Sequence, residues 1–413
     1  MKKMLVRLSS ILLSKAALAV FIKHIIGGIN YALINVIYDS KSDWKPAPEN
    51  AAEFKKPAFQ SFVAFLSCFL CLLPPFVSQY RTLKSEAKSG QDSAVAAYDW
   101  KSASLLVLPS VFDYVAVTLS LTSNQWILAS LIVVVKGCRV LFSTLLSKKF
   151  LGHTYRLYHW AGVLLVFPGV AAYSFGSLEG KSWLKAQKGG QSTTNSFPAY
   201  YAALGISMVF LAEGLRASKA VYEEKMLKTN KLCPRFIAVV EGALCTLLSI
   251  FTLFIFHIIP GSETAVVGKL PEPGQTGSME NFWNTLEWLS SSRRVQFIEC
   301  YMILTIGVIT FFGFLVTKYL SAVHNALWGE LRIVIVYLTE MIIAFAEGKR
   351  FFTPFTPLQI LGFAFLLLSG FVFNRKLTLP CTALYREDQE QQSNKNDIED
   401  QHTPNEPETV SGV

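Results

Sequence analysis

The sequence predicts an all-α, polytopic membrane protein of ten transmembrane helices in two inverted five-helix repeats. Three observations carry that prediction. Charged residues make up 16% of the 413 residues and hydrophobic ones 52%, where a soluble domain carries about 25% charged residues. Apolar runs of the length that crosses a bilayer, roughly 20 residues, recur along most of the chain. They are continuous rather than alternating, which disfavours a transmembrane barrel. Finally, the two halves of the chain echo each other in the placing of cations and glycines.

The spans are expected at about 14–38, 57–79, 101–121, 125–146, 157–178, 198–221, 236–259, 296–317, 323–346 and 354–374. The first begins with a basic start and an Ala-Leu-Ala, which imitates a signal peptide. Lys15 interrupts that apolar part and further apolar residues run on through Ile37, so it is read as a helix that stays. The turn LTSNQ at 121–125 is short and makes the third and fourth helices antiparallel neighbours. The links between the last three spans are short as well. The longest loop, 260–295, holds PEPGQTGS and then SMENFWNTLEWLSSSRR. In that second piece Phe282, Trp283, Leu286 and Leu289 have helical spacing, as expected of a helix lying flat at the membrane interface. Residues 1–376 then form the transporter domain, with repeat one at about 14–178 and repeat two at about 198–374. Residues 377–413 are polar and acidic and read as a disordered cytosolic tail.

An even number of spans puts both termini on one side. That side collects Lys2, Lys3, Arg7, Arg81, Lys84, Lys88, Lys148, Lys149, Lys225, Lys228, Lys231 and Arg235. The bias favours cytosolic termini. It also accounts for the net charge of +9 without a nucleic-acid partner. The echo runs from Lys136, the basic turn Lys148–Lys149, Gly162 and Gly169 to Arg332, the basic turn Lys349–Arg350, Gly362 and Gly370. Inverted repeats are a transporter device, with the site near the midplane between the halves.

Ionisable residues at membrane depth cost about 2.5–3.5 kcal/mol each if they face lipid. This chain places Lys23, His24, Asp113, Lys136, Arg139, Glu213, Arg216, Lys219, Glu241, Glu330, Arg332 and Glu340 within its spans. Such a set implies an internal polar cavity. Asp113, Lys136 and Arg332 fall near the midplane and are expected to line it, with a buried Asp113–Lys136 salt bridge as the other reading. Lys23 and Lys219 lie near span ends, where a long side chain reaches the interface. Glu213 and Arg216 are three apart and read equally as an intrahelical pair. The seven cysteines fall mostly in apolar runs and are expected to pack as small hydrophobes. No phosphate loop, HExxH or GxSxG motif occurs, so neither an enzyme nor a metal or cofactor site is expected.

Several segments together carry a family resemblance. They are FKKPAFQ at 54–60, LPSVFD at 108–113, VVVKGCRVLFSTLLSKKFL at 133–151, VYEEKMLKTN at 221–230 and VEG at 240–242. FFGFLVTKYLSA at 311–322, LRIVIVY at 331–337 and LQILGFAFLLLSG at 358–370 complete the set. In these the chain resembles the drug/metabolite transporter superfamily, and within it the solute carrier 35, nucleotide-sugar-transporter-like family, closest to its F-subfamily lysosomal branch. The resemblance implies secondary active transport of a small polar solute by alternating access, with a nucleotide sugar, an organic anion or an amino-acid-like metabolite as candidate solutes. It implies an endomembrane, lysosomal or vacuolar first and Golgi second. Together with the charges at membrane depth, it gives Lys136, Arg332, Asp113, Gly137 and Arg139 as the expected substrate-binding residues, and the acids Glu213 and Glu241 within the spans as coupling candidates. The family's fourth-span Arg-Gly is here Lys136-Gly137, which loses bidentate geometry towards an anion. Asn325 and Gly329 stand where relatives often carry Arg and Asp, and Glu213 where they often carry Gln. A homodimer is compatible with the pattern. The alternative function is a non-transporting scaffold acting through its polar tail; deleting 378–413 separates the two.

Overall fold

A computed structural model describes residues 17–30, 33, 34, 36, 37, 54, 56–88, 100–123, 129–187, 199–264, 274–330, 332–346, 352–375 and 377. The expected tail, beyond residue 377, lies outside them. Nearly every described element is a helix, and six of the helices are long and apolar enough to cross a membrane. The chain is an all-α polytopic membrane protein.

The first helix, α1 (Ala17–Asn30), is the shorter apolar one. Next come α2 (Pro57–Lys88), α3 (Trp100–Leu105) and α4 (Val107–Ser123), the last two parted by a turn at Leu106. The expected fourth span is two pieces, α5 (Ala129–Lys136) and α6 (Cys138–Leu151). Gly152, left-handed at φ 68°, ends α6 with its N–H bonded to the Ser147 carbonyl, the usual stop for a helix that must turn at once. Then follow α7 (Leu157–Gln187), α8 (Ala199–Lys228) and α9 (Pro234–Ile258). Pro234 opens α9 at a position whose N–H needs no helical partner. After the long loop come α10 (Phe282–Ser291), α11 (Arg293–Tyr319), α12 (Ala322–Glu330), α13 (Arg332–Ala346) and α14 (Thr356–Phe373).

The packing is pairwise. Helix α7 runs along α14, α2 along α9 and α11, and α4 along α8 and α9. Helix α6 touches α8 and α12, and α9 also meets α11. Small residues set the closest crossings. A Cβ on Gly169 would meet the Gly362 carbonyl at 3.1 Å, and one on Gly362 would meet the Gly169 carbonyl at 2.7 Å. Gly162 lies equally close to the Phe373 backbone. The echoed Gly370 has nothing within contact reach of a Cβ, so it is not part of that crossing. Gly242 of α9 and Gly307 of α11 lie against the backbone of α2 at Phe69 and Ser67. The outer surface is apolar: Phe251, Phe254, Phe297 and Phe345 are all exposed, which suits lipid and would be an aggregation liability in water. Cys68, Cys71, Cys138, Cys233, Cys245 and Cys300 are free thiols, in keeping with a packing role.

The loop between α9 and α11 folds back on the start of α2. Asn281 caps α10, accepting from the N–H groups of Trp283 and Asn284 at 3.0 and 3.3 Å. Phe282, Trp283 and Leu286 point outward. Trp288 is buried, and Leu289 packs against the same cluster of Phe54, Phe59, Val63 and Met302. Lys56 is buried and paired with Glu263 and Asn284. The Glu280 carboxyl, 2% exposed, accepts the Ala58 and Phe59 N–H groups at 2.8 Å each. Burial outweighs those two donors and pushes Glu280 up to about 7. A raised carboxyl pKa favours protons in the folded state, so its stabilising contribution is full at acid pH and is lost as pH rises through about 7. The thermal stability of the purified protein should therefore fall across that range, and Glu280→Gln should flatten the fall. A melting series that is identical in slope for both proteins would contradict this.

Candidate functional site

The turn between α5 and α6 places the first cations. Gly137 N–H bonds to the Val134 carbonyl, and Val140 N–H to the Gly137 carbonyl, at 3.2 Å each. These three-residue steps tighten the helix locally, a feature often found at hinges. Gly137 is pressed against Val166 and Val170 of α7. Lys136 and Arg139, on either side, line a cleft with Tyr173 of α7 and Gly329, Glu330, Arg332, Ile333 and Val336 of α12 and α13. The cleft is narrow, and part of it is open to solvent. Lys136, Arg139 and Arg332 thus face one another across it, with Glu330 as the acid of the lining. Gly27 of α1 lies against the Arg332 side chain, and Gly28 against Ile335, so α1 closes on the same region.

Behind the cleft, Arg139 is anchored. Its Nε donates to Glu213 Oε2 at 2.5 Å, and Arg216 Nη1 donates to Glu213 Oε1 at 2.5 Å. Arg216 also reaches the Ala116 carbonyl at 3.3 Å. Glu213 is fully buried between the two guanidinium groups. Both Arg side chains are less than a quarter exposed, so little water screens the pairs.

A second polar cluster lies further along α8. Lys219 Nζ is 2.7 Å from Asp113 Oδ2 on α4, 3.1 Å from Glu223 Oε1 and 3.1 Å from Glu241 Oε2 on α9. The reading of Lys219 as an interfacial side chain is therefore corrected: its side chain is 12% exposed and three carboxylates hold it inside. Asp113 pairs with Lys219, in place of the Asp113–Lys136 bridge considered from sequence. Lys23 likewise turns inward, donating to Asn325 Oδ1 on α12, and Asn325 in turn donates to Thr317 at 3.0 Å. At the end of α8, buried Glu224 receives Lys228 at 2.7 Å and the Ala322 N–H at 2.7 Å, capping α12.

The structure thus gathers Lys136, Gly137, Arg139 and Arg332 at one place. It puts Glu213 behind them and groups Asp113 with Glu241 around Lys219. Tyr173 and Glu223 were not singled out from sequence. Glu223 had a readable signal, its i,i+4 spacing from Lys219; Tyr173 had none. The Glu340 side chain lies outside the described residues.

No family model matches the chain. Solute carrier family 35 member F6 of Pongo abelii is 24% identical over 325 residues, covering 78% of each chain. The human and rat proteins of that name align over the same share, at 23% and 24% identity. The chain is a homologue of solute carrier family 35 member F6. These mammalian relatives are named as solute carriers. A solved crystal structure covers 87% of this chain and 96% of its own, with a TM-score of 0.52 at 14% identity, a likeness of fold alone.

Proposed function

We propose that this solute carrier homologue is a secondary active transporter that moves a small polar solute across an endomembrane by alternating access. The observation that carries the reading is the cleft in which Lys136, Arg139 and Arg332 meet between α5–α6 and α12–α13. Its cations outnumber Glu330, and Glu213 is already engaged by two arginines. The lining therefore favours an anionic group on the solute, as in a nucleotide sugar or another organic anion, ahead of a neutral amino-acid-like metabolite. Lys136 and Arg332 would hold the anion, and Arg139, fixed by Glu213, would guide it.

The helix neighbours support ten spans in two inverted halves. The expected second span meets the third (α2 with α4), as the seventh meets the eighth (α9 with α11). The third meets the seventh (α4 with α9), as the eighth meets the second (α11 with α2). The second pairs with the seventh and the fifth with the tenth, the self-related contacts that such a two-fold requires. Rocking of one half against the other about the Gly137 turn and the α7–α14 seam would expose the cleft to either side in turn. The organelle reading is lysosomal or vacuolar, then Golgi, with cytosolic termini.

The test is flux into liposomes containing the purified protein, across nucleotide sugars, organic anions and amino acids. Lys136→Ala and Arg332→Ala should each weaken the apparent affinity about 10- to 100-fold, the weight of one charge-assisted hydrogen bond at about 1.5–3 kcal/mol. Unchanged flux in both variants would remove the cleft as the binding site.

A further inference from the structure

The cluster around Lys219 has a charge balance unlike that of the cleft. Three carboxylates, Asp113, Glu223 and Glu241, converge on one ammonium. Glu223 and Glu241 are 5% and 4% exposed. Glu241 Oε1 is buried and accepts no hydrogen bond among the described residues, and Glu223 Oε1 meets Lys219 at ion-pair distance without hydrogen-bond geometry. Two buried carboxylates with unsatisfied oxygens, beside a third, are costly when all are ionised.

The surroundings supply little compensation. Helix α4 contributes Asp113, and α8 contributes Lys219 and Glu223. From α9 come Glu241 and the Cys245 thiol, which donates to the Ser110 carbonyl at 3.2 Å. From α2 comes the Cys68 thiol, which donates to Thr310 of α11 at 3.3 Å. The Phe314 ring of α11 lies 5.8 Å from Lys219 Nζ. Lys23 of α1 is the next cation within electrostatic reach of Glu223, and it is held by Asn325. Arg139, within electrostatic reach of Asp113, is committed to Glu213, so counting both lysines against the three carboxylates leaves one negative charge over. The carboxylates close on the ammonium, and no group among the described residues is arranged to hold a metal ion. A proton fits the remaining charge.

We propose that Glu223 and Glu241 share one exchangeable proton beside Lys219 and that this proton is the coupling ion of the transport cycle. The proposal rests on the transporter reading above and adds the ion to it. Asp113 belongs to the first half, whereas Lys219, Glu223 and Glu241 belong to the second. Movement of the halves changes how firmly Asp113 holds the ammonium, and with it the affinity of the glutamate pair for the proton. Glu213, clasped by Arg139 and Arg216, holds Arg139 in place.

Two measurements test this on the full-length protein. The first is infrared difference spectroscopy over a pH titration, with no solute present. Measured in a Glu280→Gln, Glu299→Gln, Glu330→Gln background, which silences these three other buried carboxyls, the otherwise wild-type protein should show a protonated buried carboxyl at neutral pH that titrates on raising the pH. Glu223→Gln or Glu241→Gln should remove or shift that band, Glu241→Asp should retain it displaced, and Glu213→Gln should leave it intact. Absence of the band from that background, or its survival in both glutamine variants, overturns the proton site. The second uses whichever solute of the panel is transported. An inward proton gradient should drive accumulation by the wild type, whereas Glu223→Gln and Glu241→Gln should lose gradient-driven accumulation but keep solute exchange. Equal gradient dependence in all three proteins overturns the coupling role. A wild type that moves no solute sinks the transporter reading and the coupling role with it, and the infrared band still decides the proton site.

Discussion

Replacing Glu213 by Leu should destabilise the protein by about 3–5 kcal/mol, the cost of leaving a buried charge without its partner. Two guanidinium groups depend on this carboxylate: Arg139 through Nε and Arg216 through Nη1, each at 2.5 Å. Glu213 is fully buried, and the two arginine side chains are 23% and 17% exposed, so water can replace the lost carboxylate only in part. Arg216 retains the Ala116 carbonyl, whereas Arg139 has the cleft to turn into. The loss should appear as a large drop in melting temperature of the detergent-purified protein. The triple variant Glu213→Leu, Arg139→Met, Arg216→Met should recover most of it, since a well-packed apolar replacement of a whole buried ion group is often neutral or better. A single variant that melts with the wild type, within about 0.5 kcal/mol as at an indifferent surface position, would show that the trio is not closed as described. Flux separates the site's two needs: the triple variant should be stable yet impaired, because Arg139 also lines the cleft.

The sequence made the membrane class and most of the helices legible, because a bilayer demands long apolar runs and a run is visible without knowing its neighbours. It also located Lys136, Arg139, Arg332, Asp113, Glu213 and Glu241, because charges stand out in such runs. It did not reveal who meets whom. Lys219 and Lys23 lie near span ends, where depth alone suggests snorkelling; the rotation of α8 and α1 turned them inward, and rotation is decided by packing against other helices. Helix α8 illustrates the same limit. Its charges dilute the apolar signal, yet Glu213, Arg216, Lys219 and Glu223 all find partners inside. The loop held the least legible contacts. Glu280 docks on the N-terminus of α2 more than 200 residues earlier in the chain, and no period in a loop sequence announces such a partner.

A large steric effect is expected at the seam of α7 and α14. Helices in lipid gain little from burying apolar surface against each other, so close backbone approach through small residues carries the association. At this seam the approach is reciprocal. The Gly362 Cβ position lies 2.7 Å from both the Gly169 carbonyl and the Tyr173 N–H nitrogen, and the Gly169 position lies 3.1 Å from the Gly362 carbonyl. These neighbours are backbone, which cannot swing aside as a flexible side chain would. Gly362→Ala should therefore cost about 1–3 kcal/mol, the range for overpacking a fitted contact, and Gly362→Val more. Gly370→Ala, on the same helix with open space around it, is the control and should melt as the wild type does. The expected functional result is sharper than the stability loss. If the seam is the axis on which the halves turn, Gly362→Ala should slow solute exchange while leaving affinity for the solute near wild type, because the cleft residues are untouched. A Gly362→Ala protein with normal melting and normal exchange would mean that the helices part at this crossing at no cost, and the seam would lose its role as the fixed line of the fold.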